Sequence, residues 1–482
     1  MSVSDDVDLY WFRWKALFLA AVEKCVPVKV IKDTNSPPWI DGEIRHLLRK
    51  KYRALKKYRE NRTEQRKRKL RSLSNDIKIL VRHKHRDYLN KIVGSFCENP
   101  KLFWSYHKAV LHHRSGVDSV ITHNGQTVKT SGEKAELFNT YFCSVFTSPN
   151  TVPSTMPSNP NRSDVEISDV QLSVEEVELC LAGLDSSKAS GPDGIPAHIL
   201  KQCSKEIAPS LCALFNHSLR TGRFPAEWKN ADVTPVHKKD LKEPAGNYRP
   251  ISLLSIVSKV MERCVCNRFY AHVSRLITEL QHGFMRNRSC VTQLLPVLHS
   301  ISKSLDRNTQ TDMLYFDFAK AFDSVDHAIL IQKLKWYGVT GQLLSWFKDY
   351  LNHRYQRVVI DGVASQYLPV TSGVPQGSLV GPLLFVIFIN DLPDSIQEQT
   401  SSALYADDTK LYRSISSQSD CENLQRDISN LNTWSHNSNM KFNASKCKVL
   451  TVTRKKSPVL TDYHLDNAIL QRVQQENDLG VI

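Results

Sequence analysis

Apolar positions along the chain recur in two rhythms. Spacings of three and four mark helices. Leu9, Phe12, Trp14, Leu17, Phe18 and Val22 predict a short amphipathic helix over 7–25, and Leu70, Leu73, Ile77, Leu80, Val81, Tyr88 and Ile92 carry a helical pattern that runs over 41–92. Helices are also expected over 101–111, from a Ser131 cap to 146, from 173 to about 181 behind a Ser173/Glu176 capping box, onward to Leu219, and over 255–276. Short apolar runs bounded by turn residues mark strands at 231–237 and 313–318. Asn124-Gly125 suits a two-residue turn with positive φ, so 119–128 reads as a hairpin. The run 401–412 reads as a second hairpin, with Asp407 and Asp408 at its tip. Pro149, Pro153, Pro157 and Pro160 stand among Ser, Thr and Asn, a composition that cannot build a core and marks a linker over 148–164.

Charge sharpens this picture. The net +15 of the 482 residues is not spread evenly, because residues 45–91 hold 19 Lys and Arg against 4 Asp and Glu, a surplus equal to the whole excess. A basic helical block on an otherwise balanced chain is either a solvated helical pair or an arm that grips a polyanion. The localisation favours the arm, with Lys50, Lys51, Arg66, Lys67, Arg68 and Lys69 among its contacts. A length of 482 residues is enough for two to four domains, and hydrophobic content of 41% is ample for a real core. Eleven Cys without zinc spacing fit reduced thiols in an intracellular protein. No secretion signal opens the sequence, and the longest apolar run, 382–389, is far shorter than the ~20 residues of a membrane span, so no membrane partner is expected.

The candidate chemistry lies in the carboxylates. Asp317 sits inside the apolar run 313–318, and a buried carboxylate is costly unless paired, protonated or bound to metal. Taken alone it is also what a salt-bridged strand-end Asp looks like, and Asp407-Asp408 alone is what a turn looks like. The loop 371–382 is Gly-rich and enters a helix with Pro at its start; it lets backbone pass close to a ligand, though it lacks the P-loop Lys and the dinucleotide spacing. Ser324 is expected to cap the helix ending near Gly338. Asp326 then reads as a structural acid in its first turn, with Asp323 open. The combination narrows the choice. Three carboxylates on neighbouring strands repel one another without a divalent cation, and hard oxygen ligands favour Mg²⁺ or Mn²⁺. A two-metal site of this kind serves in-line phosphoryl displacement, which with a polyanion-binding arm points to nucleotidyl transfer.

These residues also carry a resemblance. Tyr405-Ala406-Asp407-Asp408 resembles the Tyr-x-Asp-Asp box of reverse transcriptases. The segment Phe316-Asp317-Phe318-Ala319-Lys320-Ala321-Phe322-Asp323 resembles their first palm motif, and Ser372-Gly373-Val374-Pro375-Gln376-Gly377-Ser378 their second. Ser190-Gly191-Pro192-Asp193-Gly194, Asn247-Tyr248-Arg249-Pro250-Ile251-Ser252, Gln281-His282-Gly283-Phe284 and the segment from Pro37-Pro38-Trp39 through the basic helices are similar to non-LTR (LINE, jockey-like) retrotransposon proteins.

The resemblance implies an α+β right-hand polymerase with fingers and palm, the palm an antiparallel sheet with helices. A mainly helical basic region over 1–147 would precede it, then the linker 148–164, lead-in helices over 165–230 and the reverse transcriptase domain over 231–482. It also implies RNA-directed DNA synthesis with RNA template, DNA primer, dNTPs and Mg²⁺ or Mn²⁺, in a nuclear or cytoplasmic ribonucleoprotein. Asp317 and Asp407 would bind the metals with the Phe318 carbonyl, and Asp408 would complete the cluster. Lys238 and Arg249 would grip the triphosphate, and Phe322 would exclude a 2′-hydroxyl. Gln376 and Gly377 would lie near the nascent base pair, Arg286 and Arg288 would touch nucleic acid, and Lys446 is the candidate general acid, with a surface Lys as its alternative. Relative to that family, an upstream endonuclease and the thumb are expected to be absent. The alternative function is a weakly active or inactive nucleic-acid-binding relic.

Overall fold

The computed structural model describes residues 6–27, 37–96, 98–99, 103–104, 106, 117–148, 165–238 and 240–481. The helix expected over 101–111 and the Pro-rich linker fall largely outside the described residues. The described chain is α+β, and no helix in it is long and apolar enough to cross a membrane.

Contacts divide the chain into residues 20–116 and a larger unit of 1–19 with 117–482. The smaller unit holds the basic helices Gly42–Glu60 and Glu64–Gly94, with the break at 61–63 where Thr63 caps the second. Asp41 caps the first helix, accepting from the Glu43 and Ile44 amides at 3.1 and 3.2 Å, and pairs with Lys84. Trp39 packs on His85 and Tyr88 at 4.5 and 5.8 Å between ring centres.

The larger unit is built on two five-stranded sheets. In the first, the order is Gln471–Val473, Lys448–Val452, Gln310–Phe316, Asp408–Ile415, Ser401–Tyr405; all neighbours are antiparallel except the first two. Its middle strand is buried over most of its length, which is why Met313–Phe316 is a continuous apolar run rather than an alternating one. The second sheet runs Tyr248–Leu253, Asn230–His237, Arg354–Ile360, Val363–Ala364, with Leu368–Val370 also paired to Arg354–Ile360. The helix Gly381–Ile389 is apolar on every face and almost wholly buried, as an all-round hydrophobic helix must be. Buried Glu262 accepts from the Leu379 and Val380 amides at 2.8 and 3.4 Å just ahead of this helix, satisfying donors there that have no intrahelical partner.

Several expectations shift. The boundary at 147 is not where the contacts divide. The hairpin Ile121–His123/Gln126–Val128 and the helix Ser131–Ser144 bury Ile121, Val128, Phe138 and Phe142 with Val233, Tyr248 and Val358 of the second sheet, because neither can cover its apolar face alone. Thr130, not Ser131, caps that helix in a capping box with Glu133. Asp326, not Ser324, caps His327–Trp336, accepting from the Ala328 and Ile329 amides at 2.9 and 3.2 Å; the Ser324 hydroxyl instead donates to the Ala321 carbonyl at 3.2 Å. The segment 478–481 is a tight turn bridged by Asp478 and Val481.

Candidate active site

Register builds the site. Phe316 pairs with Thr409 and Tyr405 with Asp408, so the chain leaving the middle strand at Asp317 lies beside the tip of the Asp407-Asp408 hairpin. Beyond the strand, Asn443 N–H donates to the Asp317 carbonyl at 2.7 Å and Ala319 N–H to the Lys441 carbonyl at 2.9 Å. Because neighbouring residues in extended chain direct their peptide groups to opposite sides, the Phe318 peptide groups face the hairpin side. The Phe318 ring stacks on Phe442 at 4.5 Å in the core, on the face opposite Asp317. Asp317 stays partly exposed, and its carboxylate meets Lys446 Nζ at 3.0 Å.

The three acids feel one another. Burial and the charge of Asp317 push Asp407 above the usual carboxylate range; its own backbone amide, Lys238 and Arg249 oppose this. Asp408 is pushed up to about 6 by burial and by Asp407 and Asp317, with Lys410 opposing. That crowding is the charge deficit a divalent cation relieves, and the hard oxygen donors fit Mg²⁺ or Mn²⁺. Among the described residues, however, no three His, Cys, Asp or Glu side chains stand in a metal-ligating arrangement. Asp317 has the Lys446 ammonium as its counter-charge. A cleft of about 480 Å³ opens beside these groups, lined by Asp317, Asp408, Lys410, Lys446 and Asp478 among others.

Lys238 and Arg249 stand where the two strands Asn230–His237 and Tyr248–Leu253 meet their connecting loop, exposed and within electrostatic reach of Asp407. The Gly-rich loop is tied to the first palm-like motif and to the strand that bears Arg249. Gly373 N–H donates to the Val325 carbonyl and Val374 N–H to the Phe322 carbonyl, each at 2.8 Å, and Ser252 N–H to the Gln376 carbonyl at 2.8 Å. Gly377 needs its glycine: φ is 121°, and a Cβ would lie 2.6 Å from the Ser252 carbonyl oxygen. Phe322 stacks on Phe385 at 4.6 Å and meets Phe284 edge-on at 5.8 Å, which fixes the ring.

Asp323, open on sequence grounds, accepts from Gln376 Nε2 at 3.1 Å, and burial pushes its carboxyl up to about 6, against the hydrogen bond. A folded-state value above the unfolded one means that ionisation destabilises the fold as pH rises from about 4 through 6. Asp323→Asn, which keeps the acceptor, is therefore expected to raise stability by about 2–3 kcal/mol at pH 8. The gain should vanish below about pH 4, which denaturant titrations at both pH values will check. An equal gain at the two would rule out ionisation as its cause.

Other candidates fall elsewhere. The Arg288 guanidinium donates to the Thr278 and Glu279 carbonyls, both at 3.1 Å, and to that of Gln281; it is an anchor for its own loop rather than a free cation. Arg286 stays exposed over the Tyr270 ring. In the 20–116 unit, Lys50, Arg68 and Lys69 are exposed, while Arg66 donates to the Lys57 carbonyl at 2.6 Å and Lys67 pairs with Glu64 at 3.2 Å. Sequence reading also missed Lys410, which is 1% exposed and bonded to Gln293 at 2.9 Å and to Asp478. Its signal was available: two residues after Asp408 on one strand, it shares that carboxylate's face.

An α+β body thus sets neighbouring acids at the end of a sheet, with Lys238 and Arg249 within electrostatic reach of Asp407, the arrangement expected of the nucleotide-polymerising class. Residues 236–476, about half the chain, match the reverse transcriptase (RNA-dependent DNA polymerase) family, and the chain belongs to that family. It is similar to the RNA-directed DNA polymerase from mobile element jockey of Drosophila melanogaster, at 29% identity over 86% of this chain and 47% of that protein. It is also similar to the probable RNA-directed DNA polymerases from transposon BS (32% identity, 64% of this chain, 35% of that one) and the X-element (31%, 58% and 32%) of the same species. The chain thus spans half or less of the length of these relatives.

Proposed function

We propose that the chain is the polymerase part of a non-LTR retrotransposon protein, extending a DNA primer on an RNA template with dNTPs. The observation that carries this reading is the meeting of Asp317 with Asp407 and Asp408 opposite Lys238 and Arg249, in a chain of the reverse transcriptase family. On this reading the acid-bearing sheet is the palm and the second sheet belongs to the fingers. The basic helices within 20–116 form the lead-in region, 117–147 belongs with the fingers sheet it packs against, 165–230 are the lead-in helices and 231–482 the polymerase domain.

Asp317, Asp407, Asp408 and the Phe318 carbonyl would hold Mg²⁺ or Mn²⁺, which when bound neutralises charge at the reacting phosphate. Arg249 and Lys238 bind the incoming triphosphate, the first as a planar fork and the second as a point charge. Phe322, held by Phe385 and Phe284, presents a rigid edge that a ribose 2′-hydroxyl would meet. Gln376, oriented by Asp323, and Gly377 flank the base pair being formed. Lys446 holds a proton beside Asp317 that the leaving pyrophosphate can take.

Primer extension with oligo(dT) on poly(rA) tests the reading: Mg²⁺-dependent product is expected. Retained RNA binding with no extension at high protein concentration would instead identify a non-polymerising binder. The basic helices supply the sequence-independent grip. Deleting 45–91 should weaken RNA binding similarly across sequences and flatten its dependence on salt. An unchanged salt slope in binding titrations would rule out the arm.

A further inference from the structure

We propose that Gln281 is a positioning residue that holds the Asp407-bearing tip in its working conformation; the inference rests on the polymerase reading above. The tip is a two-residue turn, since Tyr405 pairs with Asp408. Its first turn residue, Ala406, has φ of 55°, the left-handed region that such turns usually give to glycine. A two-residue hairpin offers the N–H of that residue no partner within its own ladder. Gln281 supplies one. Its Oε1 accepts from Ala406 N–H at 2.9 Å and from Gly283 N–H at 2.8 Å, and the side chain is 1% exposed.

The backbone around Gln281 is built for this contact. Leu404 N–H donates to the Leu280 carbonyl at 3.0 Å and His282 N–H to the Leu404 carbonyl at 2.9 Å, so 280–282 runs as a short parallel edge along Ser401–Tyr405. At Gly283 a Cβ would lie 2.3 Å from the Ala406 nitrogen and 2.8 Å from the Tyr405 carbonyl carbon, so only glycine lets the two chains meet there. The Gln281 amide orientation follows from its partners, because turning it over would set an NH₂ against two N–H donors. Its Nε2 is buried and makes no hydrogen bond. The side chain therefore works through its acceptor alone, and Glu, which offers the same acceptor oxygen, can replace it, whereas Met fills the space without an acceptor.

The experiment compares Gln281→Met and Gln281→Glu with the unaltered chain in primer extension and in hydrogen exchange. Gln281→Met is expected to lower kcat about a hundredfold, as a displaced reacting group does, with the KM for dNTP changed less than about twofold. Gln281→Glu should recover most of that loss. Exchange at the Ala406 amide should be slow in the unaltered chain and fast in Gln281→Met, with the 121–128 hairpin unaffected in both. Fast exchange at Ala406 in the unaltered chain, or a Gln281→Met protein with unchanged kcat, overturns the proposal. So does a loss that Glu does not repair. If the unaltered chain makes no product, the polymerase reading fails, and the exchange measurements still decide whether Gln281 holds the tip.

Discussion

Asp407→Ala is expected to abolish Mg²⁺-dependent primer extension, lowering the rate by at least about a thousandfold. The size follows from what is lost. Stabilisation of the transferring phosphate by held divalent cations is worth several kcal/mol, and each 1.36 kcal/mol is a factor of ten. Asp407 is the acid at the tip that Asp317 repels and that Lys238 and Arg249 attract, so both the acids and the cations of the site act on it. The fold should survive, because removing a carboxylate that burial and a like charge disfavour relieves a cost rather than creating one. The measurement is product formation at saturating dNTP, with RNA binding and thermal melting as controls. Residual activity within tenfold of the unaltered chain would remove Asp407 from the chemistry.

Asp391→Ala is expected to cost about 3–5 kcal/mol of stability, the usual price of stripping one partner from a buried ion pair. Asp391 and Lys333 meet at 2.7 Å with side chains 2% and 3% exposed. Trp434 Nε1 donates to the same Asp391 oxygen at 3.2 Å, and the ammonium lies over the Phe388 and Trp434 rings at 4.8 and 5.1 Å. Alanine leaves the ammonium in that dry pocket without its carboxylate. The double replacement Lys333→Met with Asp391→Leu should recover most of the loss, because the attraction between buried ions barely exceeds the cost of drying them. Denaturation midpoints of the single and double variants check both statements; a single variant within about 1 kcal/mol of the unaltered chain would show the pair to be solvated.

Much of the local structure was legible. The helix Val7–Cys25, the Asn124-Gly125 hairpin, the Ser173 capping box, the strands near 231 and 313 and the hairpin at Asp407-Asp408 all lie where spacing and turn chemistry put them. Such features depend on residues within a few positions of one another, and short-range propensity encodes them directly. Caps were less secure. Ser131 and Ser324 each sit near another side chain able to cap, Thr130 and Asp326, and backbone conformation chose between them.

The candidate site divides the same way. The sequence alone singled out Asp317, Asp407 and Asp408 as the candidate acids, through their combination with the Gly-rich loop, and the order of the motifs carried the family. Only tertiary structure decided who holds them. Gln281 reaches Ala406 across 125 positions, Lys410 reaches Asp478 across 68, and Lys446 reaches Asp317 across 129. Arg288, a nucleic-acid contact by its charge, turned inward to three carbonyls of its own loop. Charge and pattern state what a side chain can do. Which partner it finds depends on the register of strands far apart in the chain, and that register is set by packing of the whole core rather than by any local run of residues.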